Sequence, residues 1–456
     1  MAFKPDTFAD HVEKLLQYYL QQQTATQHML PQLFFAGQTA AALPYAFAWE
    51  RFSGHPDVEL KPPTRADKHR LPRMAFPKTA DAAIIRSPDG RLRIPAEWFR
   101  HVEHAFYTEI RGKLVASGLP RMALMDMVSA YEVFFARVLE AALTARPNAL
   151  GDRKIAAKDL QQFATIEEAT TSLIRHQVEE VLRSSHPDQL DWLKKTFGVP
   201  LPPDELVGRF VELTQRRHVL VHAGGLADRS YLNNCKKHKV DVEHVRESDD
   251  LTPSQDYTLG AANTLMEVGI WVAQAVTRTL CTRADHVITA ANRALAELSN
   301  DALHQGQLLL AENLFSLARA FDATDPVQDE HLIDVRLYAA TAMHLQGRVD
   351  ECQTLVEHTL GPAPLPRHQL ARHLLFAELD KAFPLACDLG ENSTIDEEAF
   401  DFEFVYLALR AHPPFLAWYR DHYGHELRQL SAPPEDTRDR ANQRVMRWLF
   451  QLRTLD

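Results

Sequence analysis

Apolar residues recur three and four positions apart in one long segment of this chain after another, a spacing that packed helices satisfy and sheets do not. In IEEATTSLIRHQVEEVLRSS, residues Ile166, Leu173, Ile174, Val178, Val181 and Leu182 form one stripe. In LVGRFVELTQRRHVLVHAGG, the buried face is expected to be Leu206, Phe210, Leu213, Leu220 and Val221, with Gly224 and Gly225 stopping the helix. YTLGAANTLMEVGIWVAQAVTRTL is apolar enough to close a four- or five-helix bundle. Glycine is scarce, 17 residues in 456, while Leu, Ala, Glu, Gln and Arg abound, which favours helix over sheet. The expected fold class is all-α.

A chain of 456 residues exceeds one hydrophobic core and divides into two or three domains. Residues 1–118 read as an N-terminal helical region. Phe8, Val12, Leu15, Leu16, Tyr19 and Leu20 recur at helical spacing between Thr7 and Phe52, with Pro31 and Pro44 as interruptions. An irregular arm, HPDVELKPPTRADKHRLPRMAFPKTADAA, follows with five prolines. IIRSPDGRLRIP reads as a small hairpin turning at Ser87-Pro88-Asp89-Gly90. A helix from Pro95 towards Ala116 should stop at Gly118-Leu119-Pro120.

Residues 119–283 read as a helical bundle. It holds a long helix over RMALMDMVSAYEVFFARVLEAALTA, the two segments quoted first, a short QLDWLKKTFG helix, and LADRSYLNNC as a turn into an extended segment. From 284 to 456 the chain becomes helical pairs with short breaks. RLYAATAMHLQGRVDECQTLVEHTLGPAP is similar to a tetratricopeptide unit turning at Gly347, but no clean period of about 34 residues runs through the region. A helical-hairpin repeat and a plain bundle both fit.

The formal net charge of −11 restricts any nucleic-acid contact to a local patch. One basic stretch, from Lys61 to Arg111, is a solvated arm or a backbone-phosphate contact. The cysteines Cys235, Cys281, Cys352 and Cys387 are far apart and form no CxxC pair, so neither a disulfide framework nor a cysteine zinc site is expected, and a reducing cytoplasm is the natural setting. The N-terminal residues lack a signal-peptide run, and no apolar stretch approaches the length of a membrane span. There is no phosphate loop, no GxGxxG and no GxSxG, and no cofactor is expected.

Ionisable groups concentrate in TQRRHVLVHAGGLADRSYL, where Arg216, Arg217, His218 and His222 stand at the end of an apolar helix. His218 and His222 are four apart and share a face, whereas Arg217 and His222 are five apart, about 140° round the axis. A basic cluster at a helix C-terminus also complements the helix dipole. The histidine pair has the spacing of a zinc site, but no Glu follows His218 as a metalloprotease requires, and no metal is expected in the chemistry. His222 with Cys235 could form a thiol pair, yet an isolated cysteine is ordinarily a packing residue. The histidines at 331, 344, 358, 368, 373, 412, 422 and 425 read as packing or surface residues.

RRHVLVH, followed by a glycine pair and Tyr231-Leu232, resembles the R-x4-H signature of HEPN domains. SAYEVFFARVLE, with Tyr131-Glu132, resembles the first long helix of such domains, and the stretch from FATIEEAT to LDWLKKTFGVPLP resembles their middle section. The likeness covers residues 120 to 282.

It implies a metal-independent endoribonuclease that works as a dimer, pairing two motif helices in one cleft, attacking with the 2′-hydroxyl and leaving a 2′,3′-cyclic phosphate. Arg217 would stabilise the phosphorane charge, His222 would move protons, His218 would orient substrate or assist, and Arg216 would hold a flanking phosphate. The chemistry suits these residue types: an imidazole exchanges protons near neutral pH, and a guanidinium forks onto phosphate oxygens. Dependence on the 2′-hydroxyl selects RNA over DNA. Such domains keep the company of toxins and phage-defence effectors, and the flanking helical regions leave room for a sensor or an inhibitor partner. The rival reading is a non-catalytic adaptor, a HEPN-like dimerisation bundle whose repeat arm binds protein or nucleic acid.

Overall fold

The structure, a computed structural model, describes residues 3–42, 58–60, 85–86, 92–94, 96–151, 153–155, 161–322 and 329–427. Among these the chain is all-helical apart from one small sheet of short strands. Of the irregular proline-rich arm expected over residues 55–83, only Val58–Leu60 falls among the described residues.

Two compact units form, each discontinuous in sequence. One comprises Met1–Gln17, Phe134–Leu206 and Met266–Asp456; the other comprises Tyr18–Val133 and Val207–Leu265.

The second unit carries most of the residues of interest. Helix α1 (Pro5–Ala42) continues through Pro31 instead of breaking there. Tyr19, Gln23, Gln27 and Leu30 occupy its buried stripe in this unit. The polar members are satisfied: the Tyr19 hydroxyl donates to Leu265 O at 2.8 Å, Gln23 Nε2 to Met127 O at 2.9 Å, and Gln27 Nε2 to Asn263 Oδ1 at 2.8 Å. Strands β1 (Val58–Leu60), β2 (Ile85–Arg86) and β3 (Leu92–Ile94) form an antiparallel sheet in the order β1-β3-β2. The expected hairpin is the β2–β3 pair, Ile85 opposite Arg93; β1 falls in a stretch expected to be irregular.

Helix α2 (Ala96–Ala145) replaces the two helices expected on either side of Gly118-Leu119-Pro120. A proline inside a helix costs about 3 kcal/mol through one lost hydrogen bond and a steric clash. The continuation buries Leu124, Met127, Val128 and Tyr131, and that burial outweighs the loss.

Helices α3 (Ile166–Leu182) and α4 (His186–Phe197) belong to the first unit. Thr165 and Ser185 cap them through side-chain oxygens, and Gly198, at φ 78°, ends α4. Ile166, expected on the buried stripe of α3, is exposed because it stands in the first turn beside the cap; Ala169, Ile174, Gln177, Val178 and Val181 are buried.

Helix α5 (Asp204–His222) leads to α6 (Arg229–Lys237) and α7 (Gln255–Leu280). Helix α6 corrects the extended segment expected over LADRSYLNNC. Asp228 caps it by accepting from Tyr231 N at 2.7 Å, and Tyr231 and Cys235, one turn apart, are its buried face.

In the first unit α8 (Asp285–His304), α9 (Leu308–Asp322), α10 (Glu330–Leu345), α11 (Val349–Thr359), α12 (Pro366–Leu375) and α13 (Leu379–Glu391) follow as three helical hairpins, with α10 packed against α8, α9 and α11. Short helices α14 (Glu397–Phe402) and α15 (Pro413–Tyr423) close the series on a core that includes Phe400, Phe415 and Tyr419. No helix among the described residues is long and apolar enough to cross a membrane.

Candidate active site

The site is built on the C-terminal half of α5. Leu213 and Leu220 lie on the buried stripe of this helix, and Arg217 falls between them at the same four- and three-residue spacing. A guanidinium thus occupies a position that helix geometry assigns to the core. Its side chain is 27 % exposed, Nη2 stands 3.8 Å from Glu132 Oε2 on α2, and Nε is buried without a hydrogen-bond partner. Glu132 faces the site because its neighbour Tyr131 takes the core position, packing on Phe210 with ring centroids 5.0 Å apart and on Tyr19 at 6.2 Å.

Val221, expected in the buried face, is 44 % exposed, and Val219 is buried in its place. The reason is a second apolar cluster that covers another side of α5: Val219 packs with Ala227, Tyr231, Cys235, Val242 and Leu251.

Arg216 belongs to this second side. Its side chain is 17 % exposed and fully engaged. Nε donates to Glu212 Oε1 at 2.8 Å, Nη1 donates to Leu251 O at 3.1 Å, and the guanidinium lies over the Tyr257 ring, 4.1 Å from its centroid. Glu212 accepts further bonds from the hydroxyls of Tyr231 at 2.7 Å and Tyr257 at 2.5 Å. Burial first, and the Glu212 charge second, push both phenols above their ordinary range, so they stay protonated and donate. Burial works against the Arg216 charge, but Tyr257 and Glu212 outweigh it and keep the guanidinium charged.

The helix end itself is fixed by backbone. Val219 O accepts from Ala223 N at 2.8 Å and from Gly225 N at 3.1 Å, while Gly224 and Gly225 adopt φ of 65° and 93°. Arg121 of α2 donates to Leu220 O, covering one of the carbonyls a helix leaves open. Gly225 O accepts from Leu251 N at 2.8 Å, so the returning strand-like segment is tied to the same end.

His218 and His222 are both exposed on this last stretch, their ring centroids 4.6 Å apart and the rings tilted by 48°. The four residues expected at the site therefore divide. His218 and His222 expose their rings, Arg217 is partly exposed beside Glu132 with its Nε buried, and Arg216 is consumed by Glu212, Leu251 and Tyr257. Sequence reasoning missed Glu212, Tyr231, Tyr257 and Arg121. The Glu212–Arg216 spacing of four was the readable signal; the two tyrosines join only through folding.

The Cys235 thiol is fully buried, and that burial pushes it up to about 12, which removes it as a nucleophile partner for His222. No group of three or more His, Cys, Asp or Glu residues that could hold a metal ion occurs among the described residues. No family model, no curated protein and no solved structure matches this chain.

Proposed function

We propose that the end of α5 is the active site of a metal-independent endoribonuclease of the HEPN type, acting as a dimer. The observation that carries this reading is Arg217. A guanidinium placed on an apolar helical stripe, held near a single carboxylate and with Nε lacking a partner, is unfavourable for folding alone. Its Nη groups, on a side chain that is 27 % exposed, suit the non-bridging oxygens of a phosphate, which a planar fork engages in pairs.

His222, five residues on and exposed, supplies the proton transfer. The reaction needs no further reagent: the 2′-oxygen of the ribose bonds to the adjacent phosphorus, the bond to the 5′-oxygen breaks, and the 2′,3′-cyclic phosphate remains. One proton leaves the 2′-hydroxyl and one is delivered to the departing oxygen. In a dimer the two His222 imidazoles divide these tasks as base and acid. His218 orients the scissile phosphate. Arg216 acts as the brace that joins the helix to the 223–251 segment rather than as a phosphate ligand. A ribonuclease of this kind fits a toxin or phage-defence role, with an inhibitor or sensor partner bound by the flanking helices.

A specific feature favours the second reading, a non-catalytic adaptor. The three consecutive helical hairpins α8 to α13 have the organisation of a protein-binding arm.

The test is incubation of the purified full-length chain with total RNA in EDTA, beside His222→Ala and Arg217→Ala. Each substitution should lower cleavage by about 10²- to 10³-fold, the size expected for loss of one proton-transfer or charge-stabilising group. Fragments ending in cyclic phosphate are the expected product. RNA left intact by the wild-type chain, under every condition tried, would transfer the case to the adaptor.

A further inference from the structure

The histidine pair has a property that the proposed reaction does not use. Neither ring is drawn into the protein: both are exposed, they stand 4.6 Å apart by centroid on successive turns of one rigid helix, and no group of the surrounding network bonds to them among the described residues. Two imidazoles on one metal, each at about 2.1 Å, with the angle between bonds between square and tetrahedral, put their ring centres about 5 Å apart. The observed spacing lies within a small side-chain rotation of that value. Spacing of this kind on a helix presents two nitrogen donors at no cost in backbone rearrangement, and water can fill the remaining positions of an open site.

We propose that His218 and His222 together bind a borderline divalent cation, Zn2+ above all, and that the bound ion switches the site off. The inhibitory half rests on the nuclease reading given above; the binding half does not. Coordination occupies the lone pair by which the His222 imidazole would take the 2′-hydroxyl proton, and it fixes both rings to each other. Imidazole donors select Zn2+, Ni2+ and Cu2+ over Mg2+ and Ca2+, which prefer oxygen. Of the positive charges near this end of α5, Arg217 is partly offset by Glu132 and Arg121 is engaged with Leu220 O, so a further cation is tolerated there. The helix C-terminus contributes its negative dipole end in the same place. Millimolar Mg2+ would leave the site untouched, and a chelator would activate the enzyme rather than stop it.

The experiment is calorimetric titration of the full-length chain with ZnCl2, and with MgCl2 as the contrast. The variants are His218→Ala, His222→Ala and the double substitution, with circular dichroism to confirm that each keeps its helices. Both side chains are exposed, so folding is expected to survive their removal. Loss of either donor should weaken Zn2+ binding about a hundred-fold, because the chelate becomes a single contact. A double variant that binds Zn2+ as tightly as the wild type overturns the proposal.

Cleavage assays give the second arm. Added Zn2+ should suppress RNA cutting, and EDTA should restore it. Zn2+ held by the pair in a chain that cuts no RNA upholds the metal site and removes the nuclease reading. RNA cut equally well with the pair saturated by Zn2+ upholds the nuclease and overturns the inhibitory switch.

Discussion

Two clusters of charge in this molecule contain nearly the same residue types and treat them in opposite ways. In the helical hairpins of the first unit, Asp334 of α10 accepts from Arg367 at 3.1 Å and lies 2.9 Å from His368 Nε2, while Arg367 also reaches Glu330 at 3.3 Å. His368 is only 2 % exposed, and His373 contacts Glu378 at 2.6 Å. Here arginine, histidine and carboxylate are turned on one another. At the end of α5 the same chemistry is left open: two exposed imidazoles, and beside them a guanidinium 27 % exposed and 3.8 Å from one carboxylate. Charges neutralised by their own protein hold a fold together; charges left open mark where a ligand would be sought.

The comparison breaks most sharply at Arg217. Replacement by Leu would complete the stripe between Leu213 and Leu220 and remove a partly buried cation whose Nε lacks a partner. Cleavage of RNA should fall by about 10²- to 10³-fold, as for loss of a transition-state charge contact. The midpoint of urea unfolding should rise, by about 1 kcal/mol of stability, the usual sign when a site residue is exchanged for a packing residue. A Leu variant that is both active and less stable would show that Arg217 serves the core.

Glu212 gives the opposite outcome. It is the acceptor for Arg216, Tyr231 and Tyr257, and its removal leaves a half-buried guanidinium and two phenols without their partner. Glu212→Ala should destabilise the unit by about 3 kcal/mol, within the range for breaking a buried pair from one side. Chemical denaturation measures this directly. An unchanged unfolding midpoint would mean that the network is decorative and that Arg216 is free for substrate after all.

Much of the fold is legible in the sequence, and the two misread prolines share a cause. Most of the stripes of α3 and α5 follow from periodicity because each is a contiguous pattern, with Ile166 and Val221 the exceptions. Pro31 and Pro120 mislead because a local breaking signal of a few kcal/mol loses to burial along helices of 38 and 50 residues. The hairpin turns show a subtler limit. Gly306, Gly347 and Ala377 adopt φ of 71°, 81° and 57°, and each is followed by the same backbone bond: Gln307 N to Ala302 O, Arg348 N to Met343 O, and Glu378 N to His373 O.

One turn geometry therefore recurs three times, but an alanine in the third place and unequal spacing hide it from a search for a period. The candidate site divides in the same fashion. Arg217, His218 and His222 lie in one contiguous string and could be found there. Glu132, Tyr231 and Tyr257 come from other elements, and only the packed structure assigns Arg216 to them and Arg217 to Glu132.

The closed cluster makes a smaller, pH-dependent prediction. Glu403 is pushed up to about 7, chiefly by burial and next by the Asp334 charge, with Arg367 pulling the other way. An acid whose folded pKa exceeds its unfolded value near 4.5 binds more protons when folded, so its contribution is complete below 4.5 and is lost as the pH rises through 7. The first unit should therefore lose stability between pH 4.5 and 8, by about 3 kcal/mol from this group. Glu403→Gln mimics the protonated acid. It should match the wild type near pH 4.5, exceed it at pH 8, and flatten the melting temperature across the interval. Parallel melting curves for the two proteins over that range would show that Glu403 ionises as freely as a surface carboxylate, and the contrast between a closed cluster and an open one would then rest on the histidines and arginines alone.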